Sequence, residues 1–487
     1  MPDSASDQRI LKPADDQHTN KVFQVLQHLD AAETKRLLRY MHSPYFNQSK
    51  PLRQLCALLL RQIELGRSTF RRAGIWQKLF PGTPYDDVNF RKYCSDLLGL
   101  VEGFLAQEVF EQHPERKALA TLEFVVERKL EPLYNSALRD ARLRIEQPYR
   151  SLETYFLAYA LERRCFAMLE YDVKWDVRSN LETIAHNLDI FYWIEKLKLY
   201  GAALSQRKTS NEVYQLDFMD EILAYLRAHP PTDAPQLTIY YHAFLTIYEA
   251  ENEIHYFNLR RSLEEYGAIM PKQEAIELYD SAMHYCTGKV NQGKRGFLQE
   301  YFDLFESALE RGIFMVKGEL TAWRFNNMVA AALGLGKLDW AEAFIGRYKS
   351  YLPADTRENT YTFNLTRVYR FQGKYEQVLE LLKTIDYEDI GYNLISKMML
   401  LITYYELDKM DELDTFTESF RVFLNRHKHI PQPRRLSYLN LIKYTRRLMR
   451  LVPGDKAALE RLREEISREK ASTVNHEWLL EKLEERG

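Results

Sequence analysis

The histidines of this chain come nearest to a recognisable chemical site. His476-Glu477-Trp478-Leu479-Leu480 begins as the H-E-x-x-H zinc motif does, but Leu480 stands where the second imidazole must lie one helical turn on, so a metal ion there lacks a ligand. His427-Lys428-His429 sets two imidazoles close together just before Pro431, with no third ligand in the pattern, and reads as a solvated pair at a helix end. Gly334-Leu335-Gly336 has neither the preceding strand nor the third glycine of a dinucleotide fingerprint, and reads as a hairpin turn. No G-x-x-x-x-G-K-[ST] loop is present to hold phosphates on backbone amides, and no G-x-S-x-G elbow to expose a serine nucleophile. Cys56, Cys94, Cys165 and Cys286 are far apart and form no C-x-x-C pair, so they read as reduced, buried thiols. The expectation is a protein without a catalytic site, cofactor or metal.

A basic stripe is the other chemical feature. If Arg434 to Leu451 is helical, then Tyr438, Leu441, Ile442, Thr445, Leu448, Met449 and Val452 form one face and Lys443, Arg446, Arg447 and Arg450 gather on the opposite one. Such a stripe can meet the phosphates of a nucleic acid, with Tyr444 adding stacking, or be neutralised by an acidic helix such as Glu460 to Glu465. The whole chain argues against a large phosphate footprint, because its net charge is −2 and its pI near 6.7.

The elements that must carry these residues are helices. Over 487 residues the chain is 46% hydrophobic and 28% charged, an ordinary globular balance, while Gly (19) and Pro (17) are too scarce for the turn-rich vocabulary of an all-β fold. Met1 to Asp16 has no apolar run, and the densest one, Met398 to Tyr405, is too short to span a bilayer, so the expectation is a cytoplasmic protein without a membrane segment. Residues 1–18 are polar and read as a disordered tail. Asp30, with Glu33 three residues on, caps a helix over Ala31 to His42, and Pro51 opens another that carries Leu52, Leu55, Leu59 and Ile63. With the long segment Tyr85 to Gln112 these make an N-terminal helical domain over 19–115. Helices follow one another without a strand pattern over 116–236, and Ile190, Trp193, Ile194, Leu197, Gly201 and Leu204 share one face there.

Three turns then recur in register. Gly336-Lys337-Leu338-Asp339, Gly373-Lys374-Tyr375-Glu376 and Asp408-Lys409-Met410-Asp411 follow one another at about 36 residues, each with large apolar residues upstream and downstream, and Gly293-Lys294 is a weaker echo. Phe325, Met328, Ala341 and Pro353 around the first turn complete the pattern. This resembles the tetratricopeptide (TPR) repeat, a unit of two antiparallel helices, in a divergent form over 237–430. Val329, Thr366 and Leu401 stand where that family prefers a small residue.

The resemblance implies an all-α fold: an alpha-alpha superhelix of stacked helical hairpins, with the N-terminal helical domain before it and capping helices over 431–487. It also implies a concave groove lined by the first helix of each hairpin, which places Trp323, Asn326, Asn327, Phe363, Asn364, Arg367, Arg370 and Tyr405 on a partner-binding surface. Aromatic anchors with Asn and Arg suit a protein or peptide partner. The family's carboxylate clamp is incomplete here, since Asn327 and Asn364 fit it but the lysines do not occur and Phe363 fills one of their places. The expected function is an interaction scaffold, with a nucleic-acid-associated protein using the basic stripe as the alternative.

Overall fold

A computed structural model of the chain describes residues 17–18, 20–145, 151–171, 179–207, 214–231, 234–382, 390–452 and 455–486. The expected tail up to residue 16 lies outside them. The chain is all-α, and two compact units divide between Tyr192 and Trp193, inside the stretch expected to run continuously over 116–236.

The first unit holds α1 (Lys21–Gln27), α2 (Ala31–His42), α3 (Lys50–Glu64), α4 (Arg72–Leu79), α5 (Asp87–Gln112), α6 (Pro114–Glu127), α7 (Glu131–Ile145) and α8 (Leu152–Tyr171), and α9 (Leu181–Arg207) begins in it. Both halves of the capping box close at α2: the Asp30 carboxylate accepts from the Glu33 amide at 2.7 Å, and the Asp30 amide donates to the Glu33 carboxylate at 2.8 Å. Helices α1 to α5 share a core built on Phe23, Met41, Leu55, Leu59, Trp76, Phe90, Leu97 and Phe104. Gln17–His18, expected to lie in a disordered tail, instead pairs antiparallel with Phe70–Arg71 as a two-residue ladder. Backbone pairing of so short a segment leaves no side-chain period to read.

The second unit continues with α10 (Met219–Ala228), α11 (Pro235–Tyr248), α12 (Ile254–Tyr266), α13 (Lys272–Asn291), α14 (Gly296–Glu310), α15 (Ala322–Gly334), α16 (Leu338–Tyr348), α17 (Arg357–Phe371), α18 (Tyr375–Leu382), α19 (Ile390–Glu406), α20 (Met410–Arg426), α21 (Gln432–Met449), α22 (Lys456–Arg468) and α23 (His476–Glu484). From α11 to α21 each helix packs on the next, and the first helix of a hairpin also packs on the first helix of the following one: α11 on α13, α15 on α17, α17 on α19. That double contact makes the elements an array of stacked hairpins, because each apolar face is covered by its own partner and by the neighbouring unit.

Four identical helix ends set the repeat. Gly293, Gly336, Gly373 and Asp408 all have positive φ, at 89°, 71°, 72° and 53°. The lysine that follows each donates its amide five residues back, to the carbonyls of Lys289, Ala332, Tyr369 and Tyr404 at 2.9 to 3.0 Å, which is the Schellman closure. Glycine adopts this left-handed backbone without strain, and Asp is among the few other residues that reach it. Positions in register behave alike: Cys286, Val329, Thr366 and Leu401 are all fully buried.

The C-terminal helices share a core with α19 and α20 through Leu401, Phe420, Tyr438, Leu441, Trp478 and Leu479. Within the expected capping segment, α22 and α23 are separated by a 3-10 turn, Lys470–Ser472, and by Asn475 at φ 56°. The β-branched pair Thr473-Val474 and the left-handed asparagine stop the helix there.

Candidate partner-binding groove

The first helices of successive hairpins line two adjoining cavities. The larger, 820 Å³, lies along α9, α11 and α13, with Ala202, Ala243, Phe244 and Ile247 among its apolar lining. The smaller, 320 Å³, lies between α13 and α15 and is lined by Met283, Val290, Leu298, Trp323, Ala330 and Ala331. Asp280, His284 and Thr287 belong to both, so the two form one groove. The lining follows the repeat: Asp280, His284 and Thr287 on α13 stand in register with Trp323, Asn327 and Ala330 on α15, all six facing the groove.

The charged groups along this surface are matched within the chain. The Arg324 guanidinium binds both Asp280 carboxylate oxygens, at 2.6 and 2.7 Å, while lying 4.0 Å from the centre of the Phe314 ring. Lys198 meets Glu277 at 2.8 Å, and buried Lys289 meets Glu251 at 3.1 Å. His284 donates Nδ1–H to the Asp280 carbonyl at 2.8 Å. What remains is an apolar floor with the hydroxyls of Ser205, Ser281 and Thr287 at its edges.

Of the expected groove residues, Trp323 and Asn327 line it, and Trp323 is half-exposed. Asn326, Phe363, Asn364 and Tyr405 are buried instead. The reason is that α17 packs on both α15 and α19 as well as on α16 and α18, so that even Asn364, the counterpart of groove-lining Asn327, is covered. Phe363 packs edge-on against Tyr392 at 5.0 Å, and Tyr405 edge-on against Trp478 at 5.3 Å. Asn326 and Asn364 form a buried ladder: Asn364 Nδ2 donates to Asn326 Oδ1 and to the Thr360 carbonyl, and Asn326 Nδ2 donates to the Tyr392 hydroxyl, which joins α15, α17 and α19. Arg367 and Arg370 are half-buried on α17.

The basic stripe is largely neutralised. Arg447 binds Glu465 through both guanidinium nitrogens, Arg446 reaches Asp414 at 3.2 Å and Glu418 at 3.3 Å, and Lys443 lies 3.7 Å from Glu469. Only Arg450 of the four makes no ion pair among the described residues. Tyr444, expected to stack on a ligand, is buried and donates its hydroxyl to Glu469 at 2.6 Å.

Titratable groups elsewhere are held by their own surroundings. Burial pushes the Cys56 and Cys286 thiols up to about 12, so neither is a thiolate near neutrality. His113, Glu115 and Glu153 bring ligand atoms within 4.8 Å of one another, a convergence the sequence did not signal, but Arg116 Nε already binds Glu153 at 2.6 Å and sets a positive charge against a cation.

His242 on α11 carries a pH dependence. Burial, and secondarily the charge of His255, push it down to about 4 from 6.5. Its Nδ1 lies 3.4 Å from His255 Nδ1, and His255 Nε2 lies 3.0 Å from a Glu249 carboxylate that also binds Arg227. Between pH 6.5 and 4 the unfolded chain takes up a proton that folded His242 refuses, so stability falls as pH falls through that window. Allowing for partial exposure of the ring, the expected loss is about 1–2 kcal/mol. Urea midpoints at pH 7 and pH 4.5 measure it, and His242→Gln should remove that share of the difference.

Comparison with protein families, with curated proteins and with solved structures gives no match.

Proposed function

We propose that this chain is a non-enzymatic interaction scaffold whose groove receives a segment of a partner protein. The observation that carries this reading is the repeat of groove-lining positions from α13 to α15, with the charged groups beside them already paired inside the chain. An active site needs convergent, unsatisfied acids and bases, whereas a segment in transit along stacked helices needs apolar area and a few hydroxyl or amide partners. The divergent tetratricopeptide resemblance supports the same use of the first helices. The alternative, nucleic-acid binding by the stripe on α21, loses support because Lys443, Arg446 and Arg447 face carboxylates.

Gly288 gives a clean test. It is exposed on α13, lines the groove, and a Cβ built on it meets nothing within 4 Å. Gly288→Arg should therefore fold, gaining about 0.8–1 kcal/mol of helix propensity, while its side chain obstructs the groove. Affinity purification from the native cell with wild type and variant side by side is expected to show specific partners lost from the variant, with unchanged circular dichroism. Retention of the same partners by Gly288→Arg would remove the groove from consideration.

A further inference from the structure

Beyond α15 the register passes to α17, where Thr360 and Asn364, the counterparts of groove-lining Trp323 and Asn327, are buried and the chemistry changes. Arg367 stands in register with Thr287 and Ala330, and Arg370 with Val290, all three of which line the groove. Two cations one turn apart thus replace neutral and apolar residues.

Neither cation meets a carboxylate among the described residues. Arg367 donates only to neutral acceptors, the Asn326 carbonyl at 3.1 Å and Asn364 Oδ1 at 3.3 Å. The Arg370 guanidinium lies 5.5 Å from the centre of the Phe371 ring, and its Nε is buried without a hydrogen-bond partner. Glu406 is close enough for its charge to reach Arg370, but it is bound by Trp478 Nε1 at 2.6 Å and by Lys482 at 3.1 Å, and Glu481 is exposed to solvent. By contrast Arg260, Arg324, Lys289 and Lys482 each meet an acid. Burial and mutual repulsion hold Arg367 down at about 10, and burial lowers Arg370 as well.

Paired, half-buried guanidiniums without an anion describe a receptor for one. A single carboxylate supplies one negative charge for two cations. A phosphate monoester brings about −1.5 to −2 and three acceptor oxygens, enough charge to balance two guanidiniums and an acceptor for each. We infer that Arg367 and Arg370 form a binding site for the phosphate group of a phosphorylated protein segment. The phosphate chemistry stands on the two arginines, and the assignment to a protein segment rests on the groove reading above.

Calorimetric titration of the full chain at constant ionic strength tests it, using Ac-Gly-Gly-phosphoSer-Gly-Gly-amide, the unphosphorylated peptide, inorganic phosphate and acetate as probes. Both phosphate-bearing probes are expected to bind and the other two to give no heat of binding. Arg367→Gln and Arg370→Gln should each weaken the phosphopeptide about tenfold or more, the loss of a charge-assisted contact. In phosphate-free buffer the thermal midpoint of Arg370→Gln should equal or exceed that of wild type, since the substitution removes an unpaired charge. Equal binding of acetate, binding unaffected by either substitution, or a lower midpoint for Arg370→Gln overturns the site. Binding of inorganic phosphate without the phosphopeptide overturns the protein segment as its source. The two readings fail separately: absent phosphate binding leaves the groove standing, and partners retained by Gly288→Arg remove the groove whatever phosphate does.

Discussion

Phe325→Ala is expected to destabilise the second unit by about 3–5 kcal/mol, the cost of a large aromatic cavity in a core that cannot close over it. Phe325 is fully buried on α15 and packs 5.0 Å from the Phe344 ring on α16, which itself stacks on Trp340 at 5.1 Å. In a stacked array each hairpin is held only by its neighbours, so the loss should appear locally before it appears globally. Hydrogen exchange is expected to rise first in α15 and α16, and the urea midpoint of the unit to fall. Phe325→Leu, which keeps most of the volume, should cost about 1.5 kcal/mol or less. A loss below about 1 kcal/mol for the alanine variant would mean that the α15–α16 hairpin is not the packing unit.

Much of this architecture is legible in the residues, and the parts that are not share a cause. Asp30 with Glu33, and Pro51 after Ser49, announce their helices because capping is local chemistry, decided within one turn. The turns at Gly336, Gly373 and Asp408 are legible for the same reason. Gly293 closes its helix identically, yet it reads as a weak echo because 43 residues separate it from Gly336. The added length lies in the connection from Arg311 to Thr321, where Val316 and Glu319 exchange backbone hydrogen bonds at 2.9 Å around Lys317 and Gly318, both of positive φ. With that excursion set aside, Asp280, His284 and Thr287 fall into register with Trp323, Asn327 and Ala330, and the groove-lining helix that sequence reasoning passed over becomes visible.

Burial around a helix is harder to read. Trp323 and Asn327 line the groove while Asn326, between them in the chain, is buried, and no helical period tells one polar residue from the other when a helix is covered on several sides. The bonds that tie Asn326 to Asn364 and to Tyr392 cross between hairpins, so they are set by the stacking of units rather than by spacing along one helix. The stripe on α21 is a parallel case. Lys443, Arg446, Arg447 and Arg450 do share a face, but Asp414 and Glu418 of α20, Glu465 of α22 and Glu469 just after it meet three of them.

The buried ladder across α15, α17 and α19 carries the second large effect. Asn364→Leu, close in volume, is expected to cost about 2–3 kcal/mol, because the substitution strands other groups away from water as well as removing its own bonds. Asn326 Oδ1 loses its donor, the Thr360 carbonyl loses a side-chain partner, and Arg367 loses one of its two acceptors. Replacing both asparagines should cost less than the sum of the two single changes, since an apolar pair leaves fewer stranded acceptors than one leucine facing one amide. Tyr392 sets a floor to that recovery, because its hydroxyl loses the Asn326 donor in either background. A double-mutant cycle over Asn326→Leu and Asn364→Leu, read from urea midpoints, is expected to give a coupling of about 1–2 kcal/mol. Strict additivity would show that the two amides act independently, and the stacking of first helices would then rest on apolar contact alone.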